Sequence, residues 1–210
     1  MDPYLRHRWF ELCNAEGITN KMRMWEAIHS LYQEEHRAYH NLDHVADCLK
    51  KLDEWPTQVP NRNAVELALW LHDIVYDTKR TDNESTSAGL AKHYLEDHPL
   101  SEDVFELILA TRHHAAQMTE AEYILCDIDL SILGSSPETY KTYSDAIKHE
   151  YSWVPEDMFL QSRIKVLQSF VEREFIYYTS HYRKKVESAA RTNIYSEIEK
   201  MKNLLHKISD

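Results

Sequence analysis

Residues 64–73 read AVELALWLHD, and this stretch decides how the chain is expected to fold. Apart from Glu66, its first eight residues are apolar on every side of a helix, which indicates a helix buried in a protein core. The helix ends in His72 and Asp73, so a histidine and a carboxylate directly follow a strongly apolar segment. Only three glycines and six prolines punctuate the 210 residues, fewer than a sandwich or barrel with many tight turns needs. The sequence therefore predicts an all-α fold.

Two further apolar stretches end in the same kinds of residue. Residues 104–110, VFELILA, lead to a pair of histidines, and residues 123–126, YILC, lead to DID at 127–129. A buried imidazole or carboxylate is costly unless it is paired, hydrogen-bonded or bound to a metal. The recurrence of this arrangement predicts a partnered polar cluster in the core.

The remaining segments are predicted to be mostly amphipathic helices. They cover residues 4–15, 20–36, 84–97, 137–151, 156–176 and 180–207. Asn41 is a predicted N-cap, with Asp43 in the first turn of a helix that continues to Trp55. No glycine- or serine-rich linker divides the chain, so residues 1–210 are expected to form one domain, with helices in residues 156–207 completing the bundle.

Charge and cysteine content argue against several classes of protein. Lys and Arg total 24 against 35 for Asp and Glu, and the resulting formal charge of −11 disfavours extended nucleic-acid binding. A local basic pocket for a small phosphorylated substrate is compatible with this balance. The three cysteines are widely spaced without a CxxC pair, so neither a disulfide framework nor a thiolate zinc site is expected. No signal segment or membrane-spanning run is apparent, which favours a cytoplasmic protein without a membrane partner.

His44, His72, Asp73 and Asp129 form a candidate metal site. Their nitrogen and oxygen donors suit Mn²⁺, Fe²⁺, Co²⁺, Ni²⁺ or Zn²⁺, whereas Ca²⁺ prefers oxygen donors alone. Asp127 is the alternative to Asp129, because either carboxylate could be the ligand while the other caps the following helix. Other familiar motifs are absent: the positions of the three glycines exclude a glycine-rich phosphate loop, and neither HExxH nor GxSxG occurs.

The order of these ligands resembles the defining signature of the HD-domain phosphohydrolases. Asp129-Leu130-Ser131 looks like the Asp-Leu-Ser around the last ligand of the related cyclic-nucleotide phosphodiesterases. Nearly the whole chain resembles a small group of predicted HD-superfamily phosphohydrolases, through RxYHNxxH at 37–44, WLHDxxYD at 70–77, DNE at 82–84, DxDLSxLG at 127–134, Arg163, Tyr177 and Arg191. The resemblance implies an HD-domain helical bundle.

The same resemblance implies that the four ligands hold one metal, which polarises a phosphoryl oxygen and activates a water that attacks phosphorus. The expected activity is hydrolysis of a phosphoester of a small molecule, in particular a nucleotide. Glu84 and Asp77 are candidates to orient the water or protonate the leaving group. The candidate substrate contacts are Arg37, His40, Lys79, Arg80, Arg112, His113 and His114.

Several alternatives stay open at this point. His40, His113 and His114 could instead complete a second metal site, although the adjacency of the last two departs from the family's two-metal pattern and favours one metal. A module that binds a metal or nucleotide without turnover would keep the same ligands. Some relatives place the di-iron centre of an oxygenase in this fold, and the oligomeric state is open.

Overall fold

The structure is a computed structural model that describes residues 3–113 and 119–209. Within these ranges the chain forms α-helices and one 3₁₀ helix and no β-strand, which confirms the all-α prediction. The elements are α1 (Pro3–Ala15), α2 (Lys21–Leu31), α3 (Leu42–Asp53), α4 (Arg62–Leu71), α5 (Asn83–Tyr94), α6 (Ser101–His113), α7 (Glu120–Asp129), the 3₁₀ helix (Leu130–Gly134), α8 (Pro137–Glu150), α9 (Glu156–Val171) and α10 (Ser180–Ser209). None of the helices in the described ranges combines the length and apolarity needed to cross a membrane.

The chain divides into two compact units, Met1–Leu125 and Cys126–Asp210. The boundary falls inside α7, so α1 to α6 belong to the first unit and α8 to α10 belong to the second. The organisation of the chain as a single domain stays a prediction.

Helix α4 forms the centre of the first unit. Every residue from 64 to 71 is buried, as the apolar pattern predicts. The Trp70 ring packs edge-on against Trp9 at 5.5 Å between ring centroids, and against Trp25 at 6.4 Å. These two contacts attach α1 and α2 to α4, and each fully buried large side chain stabilises the fold by about 1.5–3 kcal/mol.

Glu66 is the charged exception in this apolar helix. It is 8% exposed, and its Oε1 accepts a hydrogen bond of 2.7 Å from Arg8 Nε. Arg8 also donates to both carboxylate oxygens of Asp53. The buried carboxylate of Glu66 therefore has the charged partner that it needs.

Helix α9 ends earlier than its sequence pattern predicts. The predicted helix 156–176 ends at Val171, where Arg191 of α10 donates hydrogen bonds of 2.9 Å to the carbonyls of Val171, Arg173 and Glu174. These carbonyls belong to the last helical residue and to the segment after it, where carbonyls lack helical partners. Arg191 thus satisfies carbonyls that a longer α9 would have paired with its own N–H groups. The predicted helix end at residue 176 is therefore wrong.

The 3₁₀ helix lies close to α10 in the second unit. Asn193 Nδ2 donates to the carbonyls of Leu133 and Ser135, at 2.9 Å in each case. Between these carbonyls lies Gly134, where an added Cβ atom would be 2.6 Å from the Cβ atom of Val186. The close approach of the two helices therefore requires a glycine.

Replacing Gly134 by alanine is expected to destabilise the second unit by about 1–3 kcal/mol, because the added methyl group overpacks the contact with α10. Gly89→Ala is the matched control, since a Cβ atom at Gly89 meets nothing within 4 Å and alanine is favoured inside a helix. Urea unfolding followed by circular dichroism measures both variants. A Gly134→Ala variant as stable as Gly89→Ala would contradict this packing.

Candidate metal centre

His72 follows the last residue of α4, and its side chain is buried. Its Nδ1 atom is 3.1 Å from the carbonyl oxygen of Leu69. Because a carbonyl oxygen only accepts hydrogen bonds, Nδ1 carries the proton and donates. In the neutral ring, Nε2 is then the nitrogen without a proton, the form in which imidazole binds a metal. The end of α4 thus orients Nε2 of His72 toward Asp73.

His44 lies in the first turn of α3. The N-cap of this helix is Asn41, whose Oδ1 accepts hydrogen bonds from the backbone N–H groups of Asp43 at 2.9 Å and His44 at 3.4 Å. The predicted cap is confirmed. The side chain of His44 is 2% exposed, and its Nε2 is 3.2 Å from Nε2 of His72. Capping of α3 therefore fixes the backbone that carries the second histidine.

Three ligand atoms meet here: His44 Nε2, His72 Nε2 and Asp73 Oδ2. The carboxylate oxygen is 3.0 Å from His72 Nε2 and 3.8 Å from His44 Nε2, while the nitrogens are 3.2 Å apart. Atoms bound about 2.1 Å from one metal are about 3.0 Å apart in octahedral and about 3.4 Å apart in tetrahedral coordination. The observed separations bracket these values, so the three residues are able to hold a metal ion.

These distances also call for a positive charge among the three residues. Neutral His72 Nε2 and the Asp73 carboxylate both present lone pairs, and such groups repel each other at 3.0 Å. An extra proton on a histidine or a divalent cation removes the repulsion. Two buried imidazoles and a carboxylate that is 16% exposed provide mixed donors, which fit Mn²⁺, Fe²⁺, Co²⁺, Ni²⁺ or Zn²⁺.

Arg37 supports the backbone that carries Asp73. Its Nη1 donates to the carbonyls of Asp73 at 2.6 Å and His40 at 3.1 Å, and its Nη2 donates to Ile74 at 3.0 Å. Its Nε donates to Glu34 at 3.0 Å, and the side chain is 0% exposed. The structure therefore gives Arg37 a positioning role in place of the predicted contact with substrate.

The same bonds explain why α2 is shorter than predicted. The predicted helix 20–36 ends at Leu31, and residues 32–41 form turns before α3 begins. The prediction of helix up to residue 36 is therefore wrong. The turns allow Arg37 to reach carbonyls that follow α4, and these non-local bonds are invisible to helical periodicity.

Cys48 is a neighbour of His44 that the sequence patterns did not single out. Its Sγ is 3.8 Å from both ring nitrogens of His44, and the residue is 1% exposed. The two residues are four positions apart on α3, so helical spacing is the signal that could have identified the contact. A soft, polarisable sulfur thus borders the histidine pair.

His40 forms part of an aromatic border beside His44. Its ring stacks on Tyr76 with 3.9 Å between ring centroids, and its centroid is 6.0 Å from that of His44. The ring of Tyr39 lies 4.8 Å from that of His44. This border places His40 near the candidate ligands, and its contact with substrate stays a prediction.

The two predicted acid–base residues lie on the segment after α4. Asp77 Oδ1 accepts from the backbone N–H of Lys79 at 2.9 Å, and the Asp77 carbonyl accepts from the N–H of Arg80 at 2.9 Å. Glu84 is half-buried in the first turn of α5. Its carboxylate has no hydrogen bond or ion pair to any residue that the structure describes. Asp77 therefore shapes the turn, and the acid–base roles of both residues stay predictions.

The predicted cationic contacts Lys79, Arg80 and Arg112 are exposed. Arg80 pairs with both carboxylate oxygens of Asp82 at 2.9 Å, and Arg112 Nη2 is 3.4 Å from the carbonyl of Thr81. Two guanidinium groups from different elements thus lie at the same turn. Exposed ion pairs are weak, and the contact of these three residues with substrate stays a prediction.

Asp127 acts as a cap in the second unit. Its Oδ1 accepts from the backbone N–H of Tyr178 at 2.7 Å, and its Oδ2 accepts from the N–H of Thr179 at 2.8 Å and from its hydroxyl at 2.5 Å. Burial raises the pKa of Asp127 to about 6, although these hydrogen bonds lower it. Both oxygens are engaged before α10 begins, so the structure gives Asp127 a capping role.

The roles of three other predicted residues stay predictions. Asp129 is the last residue of α7, is half-buried and belongs to the second unit. His114 and the side chain of His113 lie outside the described residues. The site whose geometry is described therefore consists of His44, His72 and Asp73.

No protein-family model, curated protein or solved structure matches this chain. The resemblance to HD-domain phosphohydrolases accordingly stays a prediction from sequence motifs.

Replacing Arg37 by methionine is expected to lower the free energy of unfolding by about 3 kcal/mol, because several buried carbonyls lose their donor. Arg80→Met is the matched control, expected to change it by less than about 0.5 kcal/mol since its ion pair is exposed. Urea unfolding followed by tryptophan fluorescence measures both. Equal unfolding midpoints for the two variants would contradict the positioning role of Arg37.

Proposed function

We propose that this chain is a metal-dependent phosphohydrolase of the HD superfamily, which hydrolyses a phosphoester of a small molecule such as a nucleotide. The observation that carries the proposal is the group of His44 Nε2, His72 Nε2 and Asp73 Oδ2, separated by 3.0, 3.2 and 3.8 Å. The order of these residues along the chain supports it, because that order resembles the superfamily signature. The proposed cofactor is one divalent transition metal, with Asp129 as the fourth ligand predicted from the sequence.

A bound metal would supply a Lewis acid for a phosphoryl oxygen and would lower the pKa of water toward neutrality. The protein residues prepare the ligand atoms for it. The Leu69 carbonyl holds the His72 ring with Nε2 beside Asp73, and Arg37 holds the Asp73 backbone. Because these supporting bonds are buried, the ligands keep their positions with little conformational freedom.

Glu84 is the better candidate for the proton-transfer step. Its carboxylate is half-buried and has no partner among the described residues, so it can accept a proton from water and orient it. Asp77 already accepts a hydrogen bond from the Lys79 backbone within its own turn. In this proposal Asp77 keeps the segment between α4 and α5 in shape, and Glu84 acts as the general base.

The exposed guanidinium groups provide the contacts to phosphate. Arg80 and Arg112 lie at the same turn, and a guanidinium group binds phosphate oxygens through two parallel hydrogen bonds. Lys79 adds a point charge on the same segment. The chain has a formal charge of −11, so a compact cationic segment of this kind favours a small anion over an extended polyanion.

The proposal predicts release of phosphate from at least one member of a panel of nucleotides and simple phosphate esters when Mn²⁺, Co²⁺ or Ni²⁺ is added. His72→Ala is expected to abolish this turnover. Glu84→Gln is expected to lower kcat by about 100-fold while metal content is unchanged, because only the general base is removed. Glu96→Gln, at an exposed position just beyond α5, is the matched control and is expected to retain wild-type kcat.

Two outcomes would contradict this assignment. Absence of phosphate release from the whole panel by the metal-loaded protein would remove the support for catalysis, and a wild-type kcat in Glu84→Gln would exclude this residue as the base. Tight nucleotide binding without product, unchanged by Glu84→Gln and Asp77→Ala, would instead identify a non-catalytic binding module.

A further inference from the structure

The second unit contains a cavity of about 260 Å³ lined by α8, α9 and α10. Its apolar lining includes Phe159, Leu160, Met201 and Leu204. The first three are buried, whereas Leu204 is 44% exposed. An apolar wall thus continues from the interior to an exposed leucine, an arrangement that suits an apolar ligand.

Three lysines line the same cavity. Lys141 pairs with Asp145 and Lys148 pairs with Glu156, and all four of these side chains are more than half exposed. Lys200 has no hydrogen bond or ion pair to any described residue. Because exposed ion pairs contribute little, the ammonium groups are available to a bound anion. The cavity lining has three lysines against two acidic residues, Asp145 and Glu197, whereas acidic residues outnumber lysines in the chain as a whole.

The buried carboxylate in the cavity wall is that of Glu197, and it is paired with an arginine outside the cavity lining. Glu197 is 7% exposed, and it accepts hydrogen bonds from Tyr140, from Ser144 at 2.9 Å and from Arg163 Nε at 3.1 Å. The Nη2 atom of Arg163 is buried without a hydrogen-bond partner among the described residues. Glu197 therefore does not cancel the positive charge of the three lysines.

We propose that this cavity binds a small aliphatic anion, with an unbranched chain of about eight carbons and one anionic head group. The chain lies against Phe159, Leu160 and Met201, and the head group pairs with Lys200. The cavity is smaller than the roughly 300–1,000 Å³ of a site for a drug-sized ligand, which suits a ligand of about ten non-hydrogen atoms. A carboxylate and a phosphate monoester share this chemistry. The site shares no residue with the candidate metal centre.

The test is isothermal titration calorimetry of the full chain with octanoate, octyl phosphate and octanol. At least one of the two anions is expected to bind with a Kd on the order of 0.1 mM, and octanol at least about tenfold more weakly. Comparing octanoate with octyl phosphate identifies the preferred head group. Equal affinity for octanol and both anions, or no binding by either anion at a concentration of about 5 mM, would overturn the proposal.

Substitutions in the cavity wall test whether the anion binds there. Lys200→Gln is expected to lower the affinity for the preferred anion about tenfold. The matched control is Lys165→Gln, at an exposed α9 lysine outside the cavity wall, and it is expected to leave the affinity unchanged. Leu204→Asn is expected to lower the affinity for the anions and for octanol alike. Because Leu204 is exposed, this variant is expected to fold. Circular dichroism checks the fold of each variant. Wild-type affinity in Lys200→Gln would overturn the assignment of the head-group position, and with it the proposal.

Discussion

The Nε2 atom of His72 and the carboxylate of Asp73 lie 3.0 Å apart at the end of α4, and the surrounding residues are arranged around this contact. A neutral imidazole nitrogen and a carboxylate repel each other at that distance, and either a proton on the histidine or a bound cation makes the contact attractive. His44 brings a third ligand atom to 3.2 Å from the first. The three atoms are therefore also close enough together to hold a divalent cation.

Two kinds of structure keep this group in place. The apolar side chains of α4 bury the helix on all sides, and the packing of Trp70 against Trp9 attaches it to α1. Arg37 then fixes the backbone after the helix through the carbonyls of Asp73 and Ile74. Apolar burial stabilises α4, and the buried charge-assisted hydrogen bonds of Arg37 position the backbone of Asp73. Substitution of either kind of residue is therefore expected to displace the candidate ligands.

Features that depend on nearby residues could be predicted from the sequence. The buried α4 follows from its apolar run, and the cap of α3 follows from the residue type of Asn41. Features that depend on distant partners could not. Arg37 donates to carbonyls 36 and 37 residues further along the chain, and Asp127 accepts from N–H groups 51 and 52 residues away. The sequence indicated Arg37 as a candidate substrate contact and Asp127 as an alternative metal ligand, and only the fold shows which groups they bind.

X-ray absorption spectroscopy of the Co²⁺-loaded protein, combined with its metal content, tests the metal centre most directly. The account predicts one Co²⁺ per chain, a first shell of nitrogen and oxygen, and the outer-shell scattering of two imidazole rings. One imidazole contribution is expected to disappear in His44→Ala. A shell of oxygen atoms without imidazole scattering, or a chain that retains no stoichiometric Co²⁺, would contradict the account.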